Sequence, residues 1–247
     1  MIVPCPTRHF RQPKPHAKLP DFSATSMGGV SIGNPNLKPE TSVTYEVGFD
    51  YDRNDLGFKT SAVAYQTDFD DKIIRSPDFL CRPNVPCTYN GRDYPAHQWG
   101  YKETINVDKA RVRGVELALD YQFTRQLAVR SNYTLTDSEQ LTGANKGKPL
   151  SDQPKHAANL GLNYDHSRAF NAWAQAAYIG DFISTDLVSG AATSQSYTLV
   201  DVGVVYRPVR HVALKLGVYN VANKDVANSS NGYVDGRRYA AALNYTF

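Results

Sequence analysis

The stretch Thr41-Ser42-Val43-Thr44-Tyr45-Glu46-Val47-Gly48-Phe49-Asp50-Tyr51-Asp52 decides the fold. In an extended chain successive side chains point to opposite faces, so Thr41, Val43, Tyr45, Val47, Phe49 and Tyr51 make one greasy face. Ser42, Thr44, Glu46, Gly48, Asp50 and Asp52 make a wet one. The run is about twice as long as a soluble strand and matches the roughly 9 to 11 residues that cross a bilayer at a tilt. The pattern returns at Val115, Leu117, Leu119, Tyr121 and Phe123, and at Tyr239, Ala241, Leu243, Tyr245 and Phe247. Further strands are predicted over 58–74, 127–136, 156–164, 170–184, 196–207 and 212–220, about nine in all.

The connections between them take turns. Short ones lie near 53–56, 124–126, 165–169 and 208–210, and long ones near 75–102, 137–155, 185–195 and 221–237. Antiparallel hairpins with alternating short and long ends are the arrangement of an outer-membrane barrel, whereas Greek-key crossings in a soluble sandwich break that order. Sixteen Tyr and ten Phe against two Met agree with it, since Tyr belongs to strands and membrane interfaces. A mean hydropathy of -0.46 and the absence of a long apolar run leave no spanning helix. A net charge of +3, with basic residues scattered among acidic ones, gives no nucleic-acid footprint. No basic-then-apolar leader opens the chain. The Pro-rich segment 1–40 reads as irregular, and 41–247 as the barrel portion: an all-β, transmembrane antiparallel segment.

Three stretches carry a family resemblance. Asn34-Pro35-Asn36-Leu37-Lys38-Pro39-Glu40 precedes the first long strand, Asn106-Val107-Asp108-Lys109-Ala110-Arg111-Val112-Arg113-Gly114-Val115-Glu116-Leu117 enters another, and Tyr197-Thr198-Leu199-Val200-Asp201-Val202-Gly203 a third. Together, in this order, they resemble the C-terminal barrel of TonB-dependent outer-membrane receptors. Asn145-Lys146-Gly147-Lys148-Pro149-Leu150-Ser151 ahead of Pro154-Lys155-His156 is similar to the catecholate siderophore and colicin I receptor branch. The resemblance implies a bacterial outer-membrane location and a 22-stranded, plugged barrel of which this chain supplies about nine strands. It also implies a ferric siderophore as transported cargo, lipid as surroundings, and TonB contact only through a plug that this sequence lacks. The expectation is therefore a truncated receptor that does not transport alone. Asn220-Val221-Ala222-Asn223-Lys224 departs from the family's usual ending of that strand. The ending Tyr245-Thr246-Phe247 resembles the terminal signal read by the barrel-assembly machinery, although both aromatics also suit an interfacial girdle.

For ligand contact the best candidate is the long connection 75–102. Arg75, Arg82, Arg92 and Lys102 with Tyr89, Tyr94, Trp99 and Tyr101 suit an anionic, aromatic iron chelate through charge pairing and stacking. The same residues would also serve as a solvated loop whose aromatics cover one another. Cys81 and Cys87, six apart in this Pro-rich stretch, suit a local disulfide better than a metal site; Cys5 has no obvious partner. Glu46, Asp50, Asp68, Asp70, Glu116, Asp120 and Arg130 are expected on wet lumen faces, and Gly114 where a bulge or close approach requires it. Enzyme chemistry is unsupported: six His lack metal-ligand spacing, no nucleophile motif occurs, and neither a catalytic residue nor a metal or cofactor is expected. Asp70-Asp71 are neighbours on opposite faces, unlike the convergent carboxylates of a barrel protease. The alternative is a small self-contained outer-membrane barrel acting as protease, adhesin or pore.

Overall fold

The computed structural model describes residues 7–11, 23–26, 29–76, 79–98, 100–143, 146–184, 192–226 and 236–246. Its strands are β1 (Thr7–Arg11), β2 (Ser23–Ser26), β3 (Gly29–Ile32), β4 (Glu40–Arg53), β5 (Phe58–Arg75), β6 (Cys87–Tyr89), β7 (Arg92–Tyr94) and β8 (Tyr101–Gln122). Then come β9 (Leu127–Gln140), β10 (His156–Asp165), β11 (Phe170–Ile179), β12 (Phe182–Ser184), β13 (Ala192–Ser194), β14 (Tyr197–Val209), β15 (Val212–Tyr219) and β16 (Arg238–Tyr245). No described helix is long and apolar enough to cross a membrane. The main ladder runs β1-β4-β5-β8-β9-β10-β11-β14-β15-β16, antiparallel throughout. Its nine long strands are those that alternation predicts. Among the described residues β1 and β16 do not pair with each other, so the barrel is not closed.

The register makes one continuous apolar face. Val47 lies opposite Ala64, Ala64 opposite Val115, Val115 opposite Leu135 and Leu135 opposite His156. Below them Leu160, Ala176, Val200, Val202, Leu216 and Leu243 extend the same face along β10 to β16. Tyr45, Val47, Phe49, Leu117, Leu160, Leu216 and Leu243 stay exposed there, as side chains meant for lipid must. From Val115 to Phe123 the face spans eight residues of rise, about 27 Å along the strand and about 21 Å along the normal at a 40° tilt. At its short-turn edge Tyr51, Phe58, Tyr121 and Phe123 form an edge-to-face aromatic chain, with centroids 6.1, 5.7 and 4.3 Å apart. Aromatic girdles flank the lipid band of such barrels.

On the opposite face Asp52, Lys59, Asp120 and Arg130 form one row of alternating charge across β4, β5, β8 and β9. Lys59 reaches Asp52 at 2.9 Å and Arg130 reaches Asp120 at 2.5 Å. Gly114 lies on this face beneath Tyr65: a Cβ there would stand 2.7 Å from the Tyr65 hydroxyl and 2.3 Å from the Leu135 carbonyl. The close approach expected at Gly114 is therefore a tyrosine ring, whose hydroxyl reaches Thr136 Oγ1 at 3.3 Å.

Three readings are corrected. Segment 1–40 is not wholly irregular: β1 pairs with β4, β2 with β3, and β3 runs parallel to β8. Strands of four or five residues are too short to declare a period. Asp68 and Asp70 stand opposite Val43 and Thr41, on the apolar face above the lipid band, rather than in the lumen. In β5 the larger apolar residues Val63, Tyr65 and Phe69 point inward and Ala62 and Ala64 outward, which inverts the phase that hydrophobicity implies. Finally, β8 begins at Tyr101, so the long connection ends before the expected residue 102.

Candidate ligand site in the long-loop assembly

Above the lipid band the strands continue into a small packed body built by the described parts of two connections, 23–26 with 29–39 and 79–98. Asn90-Gly91, at φ 50° and 74°, makes the two-residue turn that matches strand twist, and it folds β6 onto β7 with Tyr89 opposite Arg92. A Cys81–Cys87 disulfide, with Cα atoms 5.6 Å apart, ties this hairpin back to the chain. Cys81 is itself stitched to β8: Leu80 N–H donates to the Tyr101 carbonyl at 2.9 Å and Tyr101 N–H to the Cys81 carbonyl at 2.8 Å. Val30, Ile32, Cys81 and Tyr101 form a buried cluster against which Leu80, Cys87 and Tyr94 pack.

The other connection is fixed by side chains that imitate backbone. Asn34 Nδ2 donates to the Thr104 carbonyl at 3.1 Å while its Oδ1 accepts from Asn36 N–H at 2.9 Å. Asn106 accepts from Lys38 N–H at 2.8 Å and donates to the Lys38 and Asp71 carbonyls at 3.0 and 2.7 Å. Leu37 and Glu40 are buried, and Glu40 Oε2 accepts from Ile73 N–H at 2.8 Å. Thus the stretches beginning at Asn34 and Asn106, singled out separately in the sequence, are two halves of one docking contact. Asp201 in the third stretch works alike: its Oδ1 accepts from Asn220 N–H at 2.8 Å. The buried Asn220 then closes its own loop onto both backbone groups of Lys224 at 2.8 and 2.9 Å.

Between the two connections lies a cleft of about 420 Å³, with Asn34 and Asn36 on one wall, Tyr89, Arg92 and Tyr94 on the other, and Glu103 contributed by β8. The Arg92 guanidinium stands over the Tyr94 ring at 5.7 Å. Tyr89 donates its hydroxyl to Glu103 Oε2 at 3.1 Å. Burial pushes the Glu103 carboxyl above the usual range, an effect the Tyr89 hydrogen bond only partly offsets. Burial first, and the neighbouring Glu103 charge next, push the Tyr89 phenol upward. Glu103 lies ten positions beyond Arg113, where the strand has left the lipid band, so these shifts arise from protein packing.

Of the residues named from sequence, Tyr89, Arg92 and Tyr94 line the cleft. Tyr101 does not: it is 6 % exposed and belongs to the buried cluster, with Tyr94 and His97 rings 5.1 and 5.8 Å away. Lys102 is fully buried with its ammonium over the Phe79 ring at 4.5 Å, so it offers no charge to a ligand. Arg82 is exposed and stands outside the lining. Arg75 closes β5 opposite Thr104, Trp99 lies outside the described residues, and Cys81 and Cys87 are paired as expected. At the far end Tyr245 faces the lipid side opposite Val212, with the His211 ring 6.5 Å away, and Phe247 lies outside the described residues. Sequence reasoning missed Glu103, Asn34 and Asn36 as cleft residues. The signal for the hairpin wall was Asn90-Gly91, and that for the opposite wall was the stretch beginning at Asn34.

A ladder of long antiparallel strands with an apolar belt, an aromatic girdle, a charged inner wall and structured long loops defines an outer-membrane β-barrel receptor wall. The chain matches the family described as TonB dependent receptor-like, beta-barrel, over residues 7–221, and it belongs to that family. It is located in the bacterial outer membrane. It is 36% identical over 245 residues to the iron-regulated outer membrane virulence protein of Vibrio cholerae serotype O1, covering 96% of this chain and 36% of that protein. It is 26% identical over 230 residues to the catecholate siderophore receptor Fiu of Escherichia coli K12, covering 91% of this chain and 27% of Fiu. The fold matches the crystal structure of the ferric enterobactin receptor PfeA of Pseudomonas aeruginosa with a TM-score of 0.68 at 22% identity, over 98% of this chain and 37% of that one. The chain thus spans about a third of the length of the relatives it matches.

Proposed function

We propose that this chain forms part of a receptor that takes up ferric siderophores of the catecholate type, driven by TonB, and that the long-loop cleft contributes to ligand capture. The observation that supports this reading is the cleft itself. Two connections distant in sequence pack on each other through one buried cluster; the first is tied to β8 by the Asn34 and Asn106 contacts, a disulfide closes the hairpin of the second, and Tyr89, Arg92 and Tyr94 stand around one concavity between them. Preformed concave sites with an aromatic lining and a few placed polar groups are the usual form of small-molecule sites. Iron-related and siderophore-related relatives agree with this class of cargo, and the reading assigns no catalytic step to the chain. Tyr245 and Phe247 would then serve membrane assembly, through the barrel-assembly machinery. The alternative of a self-contained small protease, adhesin or pore gains no support from a ladder whose end strands β1 and β16 do not meet among the described residues.

Retention of radioiron tests the reading. Outer membranes from cells producing the chain are expected to hold ferric catecholates saturably, and a Tyr94→Ala, Arg92→Ala double variant to hold them at least tenfold more weakly. Equal retention by wild type, the double variant and membranes without the chain would refute it.

A further inference from the structure

Glu103 sets the chemistry of the cleft. Its carboxylate is half-buried, and among the described residues its side-chain partner is the Tyr89 hydroxyl, with no lysine or arginine in an ion pair to it. The groups around it are few: Tyr89, Arg92 and Tyr94 from the hairpin, and the non-titrating Asn34 and Asn36 from the opposite wall. Arg92 is engaged over the Tyr94 ring at the exposed rim. The upward displacement of the Glu103 carboxyl, with burial as its first cause, agrees with an acid that is in no ion pair among the described residues.

Such a site suits one part of a siderophore and opposes another. An iron centre wrapped by catecholate oxygens is anionic, and a carboxylate that no described cation pairs with repels it. The O–H of a metal-free phenol is a hydrogen-bond donor, which a half-buried carboxylate seeks. The volume of about 420 Å³ lies near the lower end of small-ligand sites and suits one planar arm rather than a whole complex.

We propose that the cleft binds a single uncharged, metal-free aryl arm that donates a hydrogen bond to Glu103 and lays its ring against Tyr94 and Arg92, while it excludes the anionic iron core. Glu103 is on this account a specificity residue, and the assignment rests on the siderophore reading above. The lining separates the two roles in space. The acceptor is inside, where only a thin neutral group enters, and the cationic Arg92 is at the rim, where the bulky anion stays.

Equilibrium dialysis against outer membranes carrying the chain tests this, with three probes: metal-free 2,3-dihydroxybenzamide, 2,3-dimethoxybenzamide, which lacks the phenolic donors, and the ferric complex of the first. The free dihydroxy arm is expected to bind saturably and the dimethoxy arm on the order of tenfold more weakly, the size of one lost charge-assisted hydrogen bond. That comparison uses the unaltered protein, so it does not depend on a variant folding. Glu103→Gln is expected to lose a similar factor for the dihydroxy arm and to flatten a pH profile that in wild type rises as the carboxylate ionises. Mass analysis of the Cys81–Cys87 link checks that the variant hairpin is formed. Equal binding of the two arms, or an unchanged affinity and pH profile in Glu103→Gln, would overturn the proposal. Retained ferric siderophore with no binding of the free arm would sink this assignment and leave the receptor reading intact; retention of neither would sink both.

Discussion

Replacing Asn106 by alanine removes three hydrogen bonds at once. Oδ1 loses Lys38 N–H at 2.8 Å, and Nδ2 loses the carbonyls of Lys38 at 3.0 Å and Asp71 at 2.7 Å. Each is worth roughly 1 kcal/mol net, and the exposed backbone of Lys38 regains part of its loss from water, so the docked loop should weaken by about 2 to 3 kcal/mol. The Lys38–Asp71 ion pair remains, but at 3.6 Å, with Lys38 67% exposed, it contributes well under ~1 kcal/mol. The loop's opening equilibrium should therefore rise roughly 30- to 150-fold, while the lipid-band ladder, which does not depend on Asn106, stays as it was. Amide hydrogen exchange of the chain in outer membranes reads both: Asn36, Leu37 and Lys38 should exchange faster by that factor, and Leu117 or Leu162 should not. Asn106→Asp keeps the acceptor for Lys38 N–H yet turns an oxygen toward two carbonyls, so it should cost at least as much as alanine. A change below about threefold at 36–38, or an equal change in the band, would refute the claim that this side chain clamps the loop.

Gly114→Val places a side chain 2.3 Å from the Leu135 carbonyl and 2.7 Å from the Tyr65 hydroxyl, so β8 and β9 cannot keep their spacing; the expected result is loss of heat-modifiable migration on gels. Cys87→Ser opens the link across six positions, worth roughly 2 kcal/mol by loop-closure entropy, and residues 82–98 should be cut faster by protease while the band stays resistant. Leu117→Arg puts a charge in the belt where Leu117 is 44% exposed, and should lower folded yield by the roughly 2 to 4 kcal/mol such a charge costs at midplane. Because the Glu103 carboxyl lies above its ordinary value in the folded state, the native form binds the proton first, so hairpin docking should tighten as pH falls through the window between the ordinary and the raised value. Exchange of the Thr88 and Tyr89 amides, corrected for intrinsic rates, should show that trend, and Glu103→Gln should remove it.

Alternation revealed the nine long strands because each has lipid on one side and water on the other. It fails wherever that contrast fails. From Tyr101 to Arg113 strand β8 has left the band and packs on loops from both connections, so Lys102 and Val107 are buried while Lys109 is exposed, with no period to read. For the same reason Glu103 is illegible in the sequence: it stands on a strand whose alternation starts only at Gly114. Tyr101 and Lys102 drew attention by type alone, yet one is core and the other is buried under Phe79. Composition cannot tell a tyrosine that meets a ligand from one that meets another tyrosine. The stretches at Asn34, Asn106 and Asp201 were visible as patterns, but their purpose was not, since each works through a partner that only the folded chain brings near.

The same strand geometry separates the cleft from the wall. Glu103 lies twelve positions beyond Val115, which at about 3.4 Å per residue and a 40° tilt puts the cleft roughly 30 Å above the upper edge of the lipid band. The alternating row of Asp52, Lys59, Asp120 and Arg130 lies near the opposite edge, paired within itself at 2.9 and 2.5 Å. At a physiological screening length of about 8 Å the two sets of charge do not sense one another. The selection proposed for Glu103 would take place before the lumen is reached, and its ionisation cannot alter the inner wall through space. Selectivity changed at Glu103 should therefore leave the pairing of Arg130 with Asp120 untouched, and a variant such as Asp120→Asn should leave the order of preference among ligand arms unchanged.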